Sequence, residues 1–295
     1  MIESVRALLE GVVDYAGLFP PAALAMEPAV AGYARYRAGP DAWALGRFVV
    51  PVSRLGEFAD ATARAYVPDS SGPWRLSALG GTDAAADVAR VERFEANTLA
   101  RAVIDAFEWK AGDARALRAV AALLPPTVTG YAELSLDGPV DDLIGAAREA
   151  GTRVKVRTGG ITADAFAPAE ALARFVVACT RGGVAFKATA GLHHPLRGRY
   201  PLTYDAASDS TRMFGYLNLF LATAFARVGA DVAQVGEILQ VESPHEFIFT
   251  DAGVRWRSLA ASTVDLRALR EHGAISFGSC SFTEPLTELA ALSLE

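Results

Sequence analysis

Lysine is nearly missing from this chain of 295 residues: its 28 basic residues divide into 25 arginines and only Lys110, Lys155 and Lys187. Arginine is therefore the default surface cation, and each lysine invites the question of what an ammonium does there that a guanidinium cannot. An ammonium can give up its proton near neutral pH; a guanidinium effectively cannot. Cysteine is equally scarce. Cys179 and Cys280 are too few and too far apart to read as a disulfide framework or a zinc site. No basic run occurs and the net charge is −6, which argues against a nucleic-acid or anionic-membrane partner. Long hydrophobic runs are also absent. The most apolar stretch, residues 213–226, is interrupted by Gly215, Asn218 and Thr223 and is too short to span a bilayer. The first ten residues carry Glu3 and Glu10, with no basic segment leading into an apolar one, so no secretory signal is expected. Together these absences predict a cytoplasmic protein with reduced thiols, acting on a small molecule.

Hydrophobic residues make up 52% of the chain, ample for one large core. The repeating pattern is a short β-prone run, a turn, and an Ala/Leu/Arg-rich helical stretch. Strands are predicted at residues 12–17, 47–52, 74–79, 102–108, 128–134, 153–157, 184–188 and 274–278. Eight such alternations imply an α/β protein, a single (β/α)8 TIM-type barrel over residues 1–295 with its site at the C-terminal strand ends. The connection from 192 to 273 is overlong for a barrel. It holds an insertion at 192–257: a polar loop over 193–209, helices near 212–228 and 231–239, and a hairpin at 246–257 turning at Thr250–Gly253. A lid, an elaborated helix layer and a contact between like subunits are its expected uses. The helix carries Phe214, Leu217, Phe220, Leu221 and Phe225 at helical spacing, a stripe that needs covering.

Side chains alternate faces along a strand. In V-K-V-R-T-G-G the valines face the helices, so Lys155 and Arg157 point into the barrel. By the same parity Lys187 and Thr189 point inward on the next strand, and Tyr131, Glu133 and Ser135 on the preceding one. Buried charges in such number are costly and usually serve a site. Lys155 and Lys187 lie on neighbouring strands, where repulsion and burial should drive one amine toward neutrality, as attack on a carbonyl requires. Asp105 and Glu108 have opposite parity, and strand alternation does not say which of them faces inward. Asp14 either ends the first strand or caps a turn. Nothing near Cys280 in sequence marks it as a nucleophile.

The turns after the strands offer backbone N–H groups and hydroxyls for an anion: Thr158-Gly159-Gly160, Thr189 to Gly191, and Gly278 to Ser281, with Ser279 and Ser281 as hydroxyl donors. Arg157, or Arg197 and Arg199 in the insertion, would pair with a phosphate or carboxylate. His193 and His194 are a competing signal. With Glu108 and Glu133, or Asp14, they would make a metal site for a lyase or hydrolase, although adjacent histidines seldom both face one ion.

Residues 102–282 resemble the deoxyribose-phosphate aldolase family of class I aldolases. The stations that agree, in order, are I104-D105, then E149-A150-G151 leading to V154-K155-V-R-T158-G159, then F186-K187-A-T-A-G191, then S276-F277-G278-S279-C280-S281. The resemblance implies a (β/α)8 barrel and a Schiff base on Lys155, with Lys187 as the second active-site lysine. It also implies Asp105 as a proton relay and the Gly278–Ser281 turn as part of a phosphate site. The chain departs from the family pattern at Arg157, where a small hydroxyl residue is usual, at His193-His194, and in the long insertion. The expected function is an aldolase-type carbon–carbon lyase without a cofactor. It would use Lys155, Lys187, and Asp105 or Glu133 on a small anionic carbonyl substrate. A metal-dependent lyase or hydrolase and a non-catalytic binding protein are the alternatives.

Overall fold

The computed structural model describes residues 1–65, 72–97, 101–292 and 294. Seven strands come first: β1 (Val13–Tyr15), β2 (Leu45–Pro51), β3 (Trp74–Leu79), β4 (Ala102–Lys110), β5 (Thr129–Leu134), β6 (Arg153–Arg157) and β7 (Phe186–Thr189). The insertion adds β8 (Gly198–Pro201), β9 (Ser210–Met213), β10 (Ile248–Thr250), β11 (Gly253–Trp256) and β12 (Leu259–Ser262). Then β13 (Ala274–Ser279) completes the barrel. The eight barrel strands are all parallel and close in the order β1-β13-β7-β6-β5-β4-β3-β2. This is the (β/α)8 architecture the alternation predicts.

Helices α1 (Glu3–Leu9), α2 (Met26–Arg37), α3 (Leu55–Ala65) and α4 (Ala84–Asn97) surround the first half. Next come α5 (Ala114–Ala121), α6 (Val140–Glu149) and α7 (Ala169–Gly182). The remainder are α8 (Tyr216–Arg227), α9 (Val232–Ile238), α10 (Thr263–His272) and α11 (Thr283–Ala291). Local chemistry sets several of their ends. Asp113 caps α5, and capping boxes start α9 (Asp231, Gln234) and α10 (Ser262, Asp265). The left-handed Gly183 closes α7 at φ +64°.

The insertion differs from expectation in two respects. The stretch read as a polar loop pairs with Arg212 and its neighbours as an antiparallel hairpin, β8–β9, so the long helix starts at Tyr216 and not at 212. The hairpin read at 246–257 gains a third strand, β12. The apolar stripe on α8 is buried inside the chain. Leu217, Phe220, Leu221 and Phe225 are fully covered; Tyr216 stacks on Phe277 of the barrel and Phe220 meets the same ring edge-on. Among the described residues no helix is long and apolar enough to cross a membrane.

The N-terminal end of the barrel is filled with charge. Arg47 and Arg75 meet Asp105, and Arg153 donates to the Tyr131 hydroxyl at 2.9 Å. Above this layer lies the Tyr131 ring, and above it the site.

Candidate active site

Register places the central groups side by side. Glu133 on β5 faces Lys155 on β6, and Lys155 faces Lys187 on β7. Lys155 Nζ donates to Glu108 Oε2 and Glu133 Oε2, each at 2.7 Å. Lys187 Nζ donates to Glu108 Oε1 and Asp14 Oδ2, each at 2.6 Å. Ser77 donates to Glu108 at 2.6 Å and Ser276 to Asp14 at 2.8 Å. Gly46 is required here, because a Cβ would sit 2.5 Å from Asp14 Oδ1, where the Arg47 N–H is received. The result is a buried network of three carboxylates and two ammoniums, with Glu108 bridging the two lysines.

For Lys187 that bridge overturns the expectation of an amine driven toward neutrality by its neighbour. Burial would lower Lys187, but Asp14 and Glu108 outweigh it and hold its pKa above the ordinary lysine value. Burial would raise Glu108, and the ammoniums of Lys155 and Lys187 instead keep it well below the usual carboxylate range. Asp14 behaves alike: burial is overcome by Lys187 and Arg47, and its pKa is lowered.

The structure also decides between Asp105 and Glu108. The β3–β4 register slips by one residue between Leu76 and Ser77, so Ile104 and Ala106 face consecutive residues of β3 and Asp105 is the extra one. Asp105 is thereby aimed at Arg47 and Arg75 at the N-terminal end, while Glu108 reaches the lysines. Asp105, expected as a proton relay, sits in an ion-pair layer away from the cavity. Glu108 takes the place expected of it.

A cavity of about 370 Å³ opens above the lysines at the C-terminal strand ends, a volume suited to a small molecule. Lys155, Lys187 and Glu108 form its floor. Phe19, Pro20 and Ile161 line its apolar upper wall, and the β8–β9 hairpin contributes Leu202, Tyr204 and Met213. The hairpin is thus a wall of the site. Arg157 lines the rim, exposed, and among the described residues its guanidinium has no hydrogen-bond or ion-pair partner.

The turn residues divide into two sets. Gly160, Thr189, Gly191 and Gly278 line the cavity. Thr158, Gly159, Ser279 and Ser281 are spent on internal structure, contrary to expectation. Thr158 Oγ1 donates to the Ala190 carbonyl at 2.6 Å, and Ser281 Oγ accepts the Glu284 N–H at 3.1 Å. A Cβ on Gly159 would lie 2.3 Å from Phe166, and one on Gly191 2.6 Å from the same ring, so the two turns close over Phe166. Ser279 Oγ lies 3.3 Å from His193 Nδ1.

The histidines separate. His194 stacks on Tyr200 and its Nδ1 lies 2.8 Å from Glu288. His193 turns toward Glu284, at 3.4 Å, and toward Cys280. The metal set of Glu108, Glu133, His193 and His194 is therefore not gathered: the glutamates are engaged by the lysines and each imidazole has another partner. Among the described residues the group able to hold an ion is instead His194, Glu284 and Glu288, whose donor atoms lie within 4.8 Å of one another. Its contacts are already those of hydrogen-bonded pairs, since Tyr204 donates to Glu284 at 2.9 Å. Arg197 and Arg199 are absent from the cavity lining; Arg197 lies over the Phe214 ring and Arg199 pairs with Arg212 across the hairpin.

The chain was compared with family models and with curated proteins, and neither comparison found a match.

Proposed function

We propose that this chain is an aldolase-type carbon–carbon lyase in which Lys155 forms a Schiff base with a small anionic carbonyl compound. The observation that carries the reading is Lys155 at the floor of an open cavity, held between two carboxylates, with one more carboxylate than ammonium in the network. Such a network is an expensive way to stabilise a barrel, since apolar residues of similar volume would serve as well. The resemblance to deoxyribose-phosphate aldolases points to the same lysine.

Proton bookkeeping assigns the roles. Glu108 is bound by two ammoniums and a hydroxyl, which makes it a poor base. Among the described residues Glu133 has Lys155 alone as its ion-pair partner, and it is the acceptor for the Lys155 proton. The freed Nζ lone pair bonds to the carbonyl carbon, and the carbonyl oxygen, protonated in turn by Glu133, leaves as water. The net change is ammonium plus carbonyl to iminium plus water, with charge conserved and Glu133 again a carboxylate. Glu133 then takes the proton of a hydroxyl on the carbon β to the iminium. The bond between the α and β carbons breaks, its electron pair passes toward nitrogen, and an aldehyde and an enamine result. Lys187 remains cationic throughout and fixes Glu108 and Asp14. Arg157, free at the rim, receives the anionic end of the substrate.

A panel of small aldehydes and 2-oxo acids, assayed for carbon–carbon bond formation or cleavage, tests the reading. The wild type should turn over at least one pair, and Lys155→Arg should retain its fold and lose all turnover, because guanidinium cannot form the imine. Full activity in Lys155→Arg would refute it.

A further inference from the structure

Cys280 lines the same cavity, and the mechanism above gives it no task. Its Sγ lies 3.9 Å from His193 Nδ1, 4.0 Å from Nε2 and 3.6 Å from the Tyr204 hydroxyl. These groups come from three separate segments: the turn after β7, the loop of the β8–β9 hairpin, and the segment between β13 and α11. A fourth, the loop after β1, adds a backbone hydrogen bond from Ala22. Ser279 Oγ, at 3.3 Å, and Glu284 on α11, at 3.4 Å, lie against the same ring nitrogen, His193 Nδ1, that is nearest the sulfur. A sulfur beside an imidazole that is itself held by a carboxylate is the arrangement that activates a thiol.

The electrostatics agree with the geometry. Burial would raise Cys280, but the contact with His193 outweighs it and its pKa is lowered. Burial would likewise lower His193, yet Cys280 and Glu284 raise it to about 9. Tyr15 also faces the sulfur; burial pushes it up to about 12, so it stays neutral. Tyr204 is raised above the ordinary tyrosine value, first by burial. Cys179 on α7 is the opposite case, a buried thiol whose pKa burial pushes well up.

We propose that Cys280 and His193 form a second nucleophile–acid pair in the cavity, one that takes an aldehyde as a reversible thiohemiacetal. The proposal rests on the reading that the cavity admits carbonyl compounds, and not on which amine forms an imine. A sulfur electron pair bonds to the aldehyde carbon and the carbonyl π pair moves to oxygen. That oxygen takes the His193 proton, leaving a neutral imidazole. No oxidant or further reactant is needed. An aldehyde is the fragment that cleavage releases and that bond formation consumes. Cys280 thus holds, higher in the cavity, the partner that Lys155 does not bind.

The test is alkylation of the intact protein by iodoacetamide, mapped by peptide mass, with propanal as the aldehyde probe and Cys179 as the internal reference. At about pH 7 Cys280 should react at least ~10-fold faster than Cys179, with a midpoint below that of an ordinary thiol. His193→Gln should return the profile to the ordinary range; if that variant does not fold, the wild-type profile decides alone. Propanal should slow Cys280 labelling reversibly in the wild type and equally in Lys155→Arg. An ordinary thiol profile, or no protection in Lys155→Arg, would overturn the proposal. Protection confined to the wild type contradicts the thiohemiacetal and supports the imine. Protection in both, with no imine trapped at Lys155, keeps the thiohemiacetal and removes the imine.

Discussion

Glu108 carries more of the site than any other side chain, because among the described residues it alone pairs with both active-site lysines. Replacing it by glutamine leaves two buried ammoniums with one carboxylate each and restores their mutual repulsion. Glu108→Gln should therefore cost about 3–5 kcal/mol in denaturant unfolding, the usual range for breaking a buried ion pair from one side. A loss under ~1 kcal/mol would mean that the network is far more solvated than its burial indicates. His193 gives a pH signature of known sign. Its pKa rises from 6.5 to about 9 on folding, so its contribution to stability is full below about 6.5 and is lost as the pH climbs through about 9. Cys280, whose pKa the same contact lowers from 9.0, contributes in the opposite sense below that value, so thermal midpoints should fall only above about pH 9, and His193→Gln should remove that fall. Strand alternation was enough to orient Lys155, Lys187 and Glu133, since β5, β6 and β7 are regular in that region. It could not separate Asp105 from Glu108, because the bulge in β4 breaks the period on which the argument depends. The pairing of His193 with Cys280 was illegible for another reason: they stand 87 positions apart in sequence, and only the closed barrel brings them together.

At the level of elements, α8 is the clearest case of a sequence pattern finding its partner. Its apolar stripe is consumed against β13 and the neighbouring helices, so Phe220→Ala should cost about 3–5 kcal/mol in unfolding free energy. A change below ~1 kcal/mol would show that the helix is not part of the cooperative core. Of the β8–β9 hairpin, β8 lies in the stretch expected as a polar loop, being Arg-, Tyr- and Pro-bearing without an apolar alternation, and β9 overlaps the expected helix start. Tertiary position, over the cavity, is what orders them. The two glycine turns gripping Phe166 are a second element-level device. Gly191 combines φ +71° with a Cβ position 2.6 Å from that ring. Gly191→Ala should therefore lower the thermal midpoint and displace Arg157 and Thr189 at the rim, raising KM more than it lowers kcat.

As a whole molecule, the barrel puts an ion-pair layer at its N-terminal end, a lysine–carboxylate floor in the middle and an open, largely apolar cavity at its C-terminal end. The strand pattern foretold the architecture and the end of the barrel at which the cavity opens. It did not foretell that carboxylates would outnumber the lysines, because Asp14 and Glu108 come from β1 and β4, whose facing could not be read. That excess gives the account its central claim, that Lys155 can pass its proton to a neighbouring carboxylate and attack a carbonyl while Lys187 stays charged. The most direct measurement is borohydride reduction of the wild-type protein in the presence of the carbonyl panel, followed by peptide mapping. The account predicts a covalent mass increment on Lys155, dependent on the carbonyl compound and absent from Lys110 and Lys187. A stable adduct on Lys187 with Lys155 unmodified would contradict it.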